Sequence, residues 1–199
     1  MNSHDLSPKD ASRHTSERNR SVKFELDPAD FERARRGFIA SHPTGQIIDD
    51  HGRRVSDISA YEFLQTEPPD TVHPALWRHA QLNANHGLFE VTEGVWQVRG
   101  YDISNITIIQ GDKGWVVIDP LTSDFTARAS LELINKHVGE RPVTAVIYTH
   151  SHVDHFGGVL GVTTRADVDA GRCVVVAPEG FLYEAIAENI IAGPAMGRR

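Results

Sequence analysis

The chain has 199 residues, of which 40% are hydrophobic and 24% are charged, so it is long enough to bury one substantial core. Its net charge of −7 at pH 7 argues against a surface that binds nucleic acid. No apolar run approaches the roughly 18 residues of a membrane span, and the polar start lacks the apolar centre of a secretory signal. We therefore expect a cytoplasmic protein without a transmembrane segment.

The amino-terminal part is predicted to surround the core rather than to form it. Residues 1–22 have almost no large apolar side chains, so they cannot offset the entropy of ordering and are expected to be disordered. Residues 23–88 are interpreted as an extension packed on the core. Within this extension the sequence patterns predict short helical segments at 28–36, 61–64 and 74–82.

The core is predicted to occupy residues 89–199. Short apolar segments divided by Gly100 and by the turn formers at 111–114 are typical of antiparallel strands. The predicted strands are 91–98, 103–110, 115–119, 143–148 and 173–177, and the predicted helices are 127–137 and 180–191. This order fits one pair of layers of an α/β sandwich. Cys173, the only cysteine, is predicted to be a buried side chain of the last strand.

The most informative segment is 149–158, which follows the apolar run 145–148 and has the sequence THSHVDHFGG. Its imidazole and carboxylate side chains are His150, His152, Asp154 and His155. Side chains alternate in an extended segment, so the first three begin on one side, and Gly157 and Gly158 are expected to let the backbone turn so that His155 joins them. Neutral imidazole and carboxylate suit zinc, and also iron or manganese.

Four donors are more than a single open catalytic zinc takes from one loop, since such a site has about three protein ligands and a water. We therefore predict two adjacent metal ions with a hydroxide between them as the nucleophile. His150 and His152 would hold one ion, and Asp154 and His155 the other. The alternative is a polar loop whose histidines cap a strand and bind metal adventitiously, but clusters of this kind are typical of metal sites.

Segment 149–158 resembles the first metal motif of the metallo-β-lactamase superfamily, and its flanks are similar to the alkyl sulfatases (SDS hydrolases). The flanking segments are NHGLFEV at 85–91, QVRGYDISN at 97–105, GWVVIDPLT at 114–122, GERPV at 139–143, APEGF at 177–181 and ENIIAG at 188–193. The likeness extends over nearly everything from Phe31 onward. The superfamily motif alone names no substrate, whereas the flanking match implies hydrolysis of long-chain sulfate esters such as dodecyl sulfate.

The resemblance also implies the αββα sandwich of the superfamily, two Zn²⁺ ions in a complete site and a homodimer. Family members continue for several hundred residues that supply two glutamates and another histidine as ligands, whereas no histidine follows His155 here. We therefore expect this chain to be a fragment, with the first half of the sandwich and the amino-terminal extension. Such a fragment is expected to bind metal weakly and to show little turnover alone.

Three further residues are candidates near the site. Asp119 ends a predicted strand before Pro120, where its carboxylate would orient a ligand imidazole; the alternative is a cap at the start of a turn. Tyr101 and Asn105 lie on a loop that resembles the family's, close to the active-site face. They are candidates for contact with sulfate or water, and ordinary loop packing is the alternative.

Two other functions are compatible with the sequence. One is a hydrolase of the same superfamily that acts on thioesters, lactams or phosphoesters. The other is a catalytically inactive, truncated binding module.

Overall fold

The computed structural model of the protein describes residues 10–23 and 27–196. Contacts between residues divide the chain into two compact units. The first unit consists of Met1–Ala34 and Tyr61–Ala84, and the second consists of Arg35–Ala60 and Asn85–Arg199. This division differs from the extension predicted at 23–88. Residues 35–60 belong to the second unit because strand β1 (Phe38–Ala40) pairs with a strand of the core sheet.

The first unit is helical, with helices α1 (Arg13–Ser21), α2 (Ala29–Arg35) and α3 (Pro74–Asn83). The disorder predicted for residues 1–22 is wrong over α1, and residues 1–9 of that tail lie outside the described residues. Helix α1 forms because Ser12 caps it by accepting from the amide of Thr15. The Asn19 amide then donates to the carbonyl of Asp70 at 2.6 Å, which ties the helix to the rest of this unit.

The second unit is built on a seven-stranded sheet with the order β1-β4-β5-β6-β7-β8-β9. Its strands after β1 are β4 (Gly87–Thr92), β5 (Val95–Arg99), β6 (Ile106–Gln110), β7 (Trp115–Ile118), β8 (Val143–Ile147) and β9 (Val174–Val176). Neighbours are antiparallel from β1 to β7, whereas β7, β8 and β9 are parallel. Strands β2 (Gln46–Ile48) and β3 (Arg54–Asp57) form a separate antiparallel pair.

The remaining helices and short 3₁₀ segments lie between or after these strands. The helices are α4 (Asp124–His137), α5 (Arg165–Asp169), α6 (Phe181–Ile191) and α7 (Gly193–Met196), and the 3₁₀ segments are Ile58–Gln65, Val153–His155 and Val159–Gly161. The mixed α/β class predicted from the sequence is confirmed. Among the described helices, none has the length and apolarity that crossing a membrane requires.

One predicted strand is wrong. Residues 91–98 were expected to be continuous, but the chain turns between β4 and β5 at Glu93 and Gly94. Gly94 has φ +76°, the left-handed conformation that tight hairpin turns require and glycine adopts at low cost. The other predicted strands and helices are present, with ends that shift by a few residues.

Helix α4 covers the sheet beside β7 and buries Ala127 and Ile134 completely. Trp115 of β7 is also fully buried, and its indole N–H donates to Oδ1 of Asn135 at 2.8 Å, so the one polar atom of the ring is satisfied. A fully buried side chain of the size of Ile134 contributes about 1.5–3 kcal/mol through the hydrophobic effect. The parallel pair β7–β8 and its crossover helix are therefore the firmly packed part that positions the site.

The carboxyl-terminal edge of the second unit is more exposed. Cys173 is buried as predicted, but the strand that follows it is not, because all three valines of β9 are exposed. Helix α6 also exposes large apolar side chains, namely Leu182, Tyr183, Ile186, Ile190 and Ile191.

Candidate metal centre

The candidate site lies where β7 and β8 end. These strands are parallel neighbours, so their carboxyl ends meet at one edge of the sheet, the place where open α/β sheets usually bind ligands. Asp119 follows β7, and Thr149 and His150 follow β8 after Tyr148. The amide of Asp119 donates to the carbonyl of Ile147 at 3.0 Å, which holds the two strand ends together.

Asp119 is the centre of a hydrogen-bond network that contacts segment 149–158. Its side chain is 11% exposed. Oδ1 accepts from the amide of Thr149 at 2.8 Å, and Oδ2 accepts from the Thr149 hydroxyl at 2.7 Å. Nδ1 of His155 lies 2.9 Å from the same Oδ2. One buried carboxylate thus contacts both the start and the end of the segment 149–155.

This network determines which ring nitrogen of His155 and of His150 keeps a lone pair that can bind a metal ion. A carboxylate can only accept, so Nδ1 of His155 carries a hydrogen, and in the neutral ring that binds metal its Nε2 keeps the lone pair. The Thr149 hydroxyl gives its single hydrogen to Asp119, so it accepts from Nδ1 of His150, 2.9 Å away. Nε2 of His150 therefore also keeps its lone pair. Asp119 sets the tautomer of one histidine directly and of the other through Thr149.

The donor atoms have separations that suit metal ligands. Nε2 of His150 lies 3.1 Å from Nδ1 of His152, and Nε2 of His155 lies 3.2 Å from Oδ2 of Asp154. Two ligands of one tetrahedral zinc with bonds of about 2.0–2.1 Å are about 3.3–3.4 Å apart. The chemistry of the donor set and these separations both fit the predicted pairs, His150 with His152 and Asp154 with His155.

Asp119 also lies close enough to count as a possible ligand. Its carboxylate and the rings of His150 and His155 offer ligand atoms that all lie within 4.8 Å of one another. Both carboxylate oxygens of Asp119, however, already accept hydrogen bonds from the loop. We therefore favour the orienting role that the sequence predicted for Asp119 over direct ligation.

The backbone after Asp119 is strained. Asp119 and Leu121 have φ +55° and +66°, in the left-handed region that a branched residue such as Leu121 rarely adopts. Such residues cost on the order of 1–3 kcal/mol each and concentrate at functional sites. The strained turn brings the carbonyl of Leu121 to 2.9 Å from the amide of Gly158. It therefore fixes the far end of the metal loop, which is segment 149–158.

Gly157 and Gly158 do not make the turn that was predicted to bring His155 back to the other ligands. The reversal that brings His155 back is made before them, by the 3₁₀ segment Val153–His155, and the ring centroid of His155 comes within 4.1 Å of that of His150. Gly157 and Gly158 are needed for close approach. A Cβ on Gly157 would lie 2.4 Å from the carbonyl oxygen of Thr122, and one on Gly158 would lie 2.3 Å from that of Pro120.

His152 is the most open of the four candidate ligands, with a side chain that is 60% exposed. Its Nε2 lies 3.6 Å from Oε1 of Glu188 on α6. The two residues border a cavity of about 90 Å³ that is lined by His152, Val153, Asp154, Glu188, Asn189 and Gly193. Glu188 was not predicted, because a single glutamate on an amphipathic helix carries no local signal.

The loop between β5 and β6 holds the other predicted residues. Tyr101 is 1% exposed, which argues against its predicted contact with substrate, whereas Asn105 is exposed and stays a prediction. Two neighbours that the sequence did not single out face the site instead. The Ser104 hydroxyl donates to the backbone carbonyl of Asp154, and Asp102 accepts from Thr122.

Comparison with known proteins agrees with this geometry. Residues 99–189 match the metallo-β-lactamase superfamily. The chain is 51% identical to a linear primary-alkylsulfatase of Pseudomonas sp. over 175 residues, which are 87% of this chain and 26% of that protein. It is 50% identical to an (R)-specific secondary-alkylsulfatase of Pseudomonas sp. over 198 residues, which are 98% of this chain and 30% of that protein.

A solved structure gives the same result. The stereoselective inverting sec-alkylsulfatase Pisa1 from Pseudomonas sp. superposes with a TM-score of 0.89 at 49% identity, over 98% of this chain and 31% of that one. The chain thus spans less than a third of the length of these relatives. It contains a metallo-β-lactamase domain at residues 99–189 and is similar, over almost its whole length, to the alkylsulfatases.

Proposed function

We propose that this chain supplies part of the metal site of a hydrolase that cleaves sulfate esters of long-chain alcohols. The observation that carries the proposal is the cluster of imidazole and carboxylate donors at 150–155, in a chain about 50% identical to alkylsulfatases. His150 and His152 would hold one ion, and Asp154 and His155 the other. Zinc bound there would supply Lewis acidity to water and to the anionic sulfate ester.

The residues of this chain would prepare those donors. The carboxylate of Asp119 keeps the hydrogen on Nδ1 of His155, so that Nε2 is free to bind. Thr149 does the same for His150. Two zinc ions need more protein ligands than the four on this loop, so we propose that turnover depends on donors outside the described residues.

Metal titration of the 199-residue chain tests the ligand assignment. We expect Zn²⁺ or Co²⁺ to bind, and the double variant His150→Ala with His152→Ala to lose one ion. His14, which lies on α1 and is not a proposed ligand, gives the matched control His14→Ala. An unchanged stoichiometry in the double variant would contradict the assignment.

Sulfate release tests the substrate class. In an enzyme with a complete metal site, dodecyl sulfate and a secondary alkyl sulfate should be hydrolysed faster than a thioester, a β-lactam or a phosphoester at equal metal loading, with each rate measured from its own product. A higher rate on one of the last three would favour another hydrolase of the superfamily. A biological effect that survives removal of His150 and His152 would favour the non-catalytic binding module.

We also propose that the enzyme assembles as a homodimer, which the family resemblance implies. The apolar side chains exposed on α6, such as Leu182 and Ile190, are of the kind that subunit interfaces bury. Sedimentation velocity of the enzyme with a complete metal site, at micromolar concentration, tests this. A monomer would contradict the proposal.

A further inference from the structure

We propose that Ser104 is a positioning residue for the metal loop, one that holds Asp154 and His155 in the orientation that binds metal. This inference rests on the proposed function, because it assumes that the loop binds a metal ion. It is carried by a partly buried hydrogen bond between two segments that are 50 residues apart in the sequence.

The hydrogen bond is made from a buried side chain to a backbone atom of the loop. Ser104 is 8% exposed, and its hydroxyl donates to the backbone carbonyl oxygen of Asp154. That carbonyl belongs to the peptide that links Asp154 to His155, the pair proposed to hold one ion. Holding the plane of this peptide restricts the directions in which both side chains leave the backbone.

Ser104 can hold the loop because its own segment is anchored. Asp102 accepts at Oδ1 from the Thr122 hydroxyl at 2.9 Å, and at Oδ2 from the Thr122 amide at 3.2 Å and the Thr126 hydroxyl at 2.6 Å. The amide of Ile103 donates to the same carboxylate at 2.8 Å. These bonds connect the β5–β6 loop to the first turn of α4, so the Ser104 hydroxyl is presented from a rigid support.

The metal loop has a second contact with the same support. A Cβ on Gly157 would lie 2.4 Å from the carbonyl of Thr122, so the backbone of the loop packs directly against the residue that Asp102 binds. Without the Ser104 hydroxyl, the Asp154 carbonyl loses its partner, and this peptide is held only by the amide of His155, which donates to the carbonyl of His152 at 3.0 Å. Residues that orient metal ligands typically change metal affinity about 10–100-fold when they are removed.

The test compares three variants of the 199-residue chain by Co²⁺ titration. Ser104→Ala removes the hydrogen bond, and Ser104→Thr keeps a hydroxyl at the same place. Ser130→Ala is the matched control, because Ser130 is also buried and its hydroxyl also donates to a backbone carbonyl, that of Thr126 at 2.8 Å on α4. The readouts are Co²⁺ affinity, the visible absorption of bound Co²⁺, which reports its coordination, and the thermal midpoint.

We expect Ser104→Ala to bind Co²⁺ at least tenfold more weakly and to change its absorption spectrum. Ser104→Thr and Ser130→Ala should stay within about threefold of the parent, although Ser130→Ala should melt at a lower temperature. If Ser104→Ala fails to fold, the comparison of Ser104→Thr with Ser130→Ala decides, because the proposal requires Ser104→Thr to keep the parent's spectrum.

Parent-like affinity and spectrum in Ser104→Ala would overturn the proposal, as would an equal loss of affinity in Ser130→Ala. A parent chain that binds no Co²⁺ would overturn the proposed function itself, and the role of Ser104 with it. The parent titration therefore separates the two failures.

Discussion

Nδ1 of His155 lies 2.9 Å from Oδ2 of Asp119, although 36 residues separate them in the sequence. The same oxygen accepts the hydroxyl hydrogen of Thr149, which in turn contacts His150. Asp119 therefore reaches two candidate ligands with one carboxylate group. Because it follows β7 while the histidines follow β8, the parallel pairing of these strands creates the contact.

Replacing Asp119 with Asn should impair metal binding more than it impairs folding. An amide has only one acceptor oxygen, so it cannot accept from the Thr149 amide, the Thr149 hydroxyl and His155 together. We expect Zn²⁺ affinity to fall about 10–100-fold and the free energy of unfolding to fall by about 1–3 kcal/mol. Competition with a chromophoric chelator and urea unfolding measure the two effects.

Asp112→Asn is the control for this prediction. Asp112 is exposed in the turn between β6 and β7, so the same change of charge there should leave both quantities near those of the parent. Equal Zn²⁺ affinity in Asp119→Asn and the parent would show that the carboxylate does not orient the ligands.

Thr149 should matter for metal binding through its hydroxyl. Valine keeps the branched shape of threonine but removes the group that bridges Asp119 and His150. We expect Thr149→Val to weaken Zn²⁺ binding about three- to tenfold, less than Asp119→Asn, because the direct bond from His155 to Asp119 remains. Thr149→Ser keeps the hydroxyl and should bind like the parent; equal losses in both variants would exclude the bridge.

The sequence predicts those parts of the site whose residues lie close together along the chain. His150, His152, Asp154 and His155 lie within six positions, so their grouping needs only a loop after a strand. The orienting position of Asp119 follows from the end of an apolar segment. These inferences need no knowledge of which strands pair.

The contacts missed by sequence reasoning depend on tertiary packing. Ser104 binds a backbone carbonyl, which every residue type offers, so nothing in the sequence at Asp154 indicates the partner. Gly157 suggests a turn, but its lack of a side chain matters because the carbonyl of Thr122 lies against it. Tyr101 is polar and lies in a loop, yet the core encloses its ring.

Gly158→Ala tests the close packing of the metal loop. The φ of Gly158 is −85°, which alanine adopts freely, so the added methyl group is the source of any cost. That methyl would lie 2.3 Å from the carbonyl oxygen of Pro120 and 2.6 Å from that of Ser123. We expect a loss of about 1–3 kcal/mol in the free energy of unfolding, measured with urea, because two backbone segments would have to separate.

Gly193→Ala is the matched control for Gly158→Ala. Gly193 begins α7, and a Cβ there would have no heavy atom within 4 Å. The substitution should therefore be neutral or stabilise by up to about 1 kcal/mol, since alanine restricts the unfolded chain. A similar loss in both variants would mean that the packing at Pro120 is not the cause.

Tyr101 should make the stability of the second unit sensitive to alkaline pH. Burial raises the pKa of the Tyr101 phenol from 10 to about 12. The folded state therefore holds this proton more tightly than the unfolded state does. The resulting stability is fully present below pH 10 and is lost as the pH rises through 12. A difference of about 2 in pKa corresponds to a loss of about 2–3 kcal/mol over this range.

Tyr101→Phe should remove the part of the stability loss at alkaline pH that the Tyr101 phenol causes. The Tyr101 hydroxyl lies near Ser41 and the backbone of His42, but it has no hydrogen bond of good geometry among the described residues, so its removal should cost little at pH 7. Urea unfolding of parent and variant at pH 7, 10 and 11.5 should give similar free energies at pH 7 and a growing advantage for the variant above pH 10. Tyr61→Phe is the control, because it removes the same hydroxyl group from an exposed tyrosine. Parallel curves for parent and Tyr101→Phe would mean that the phenol ionises equally well in the folded state.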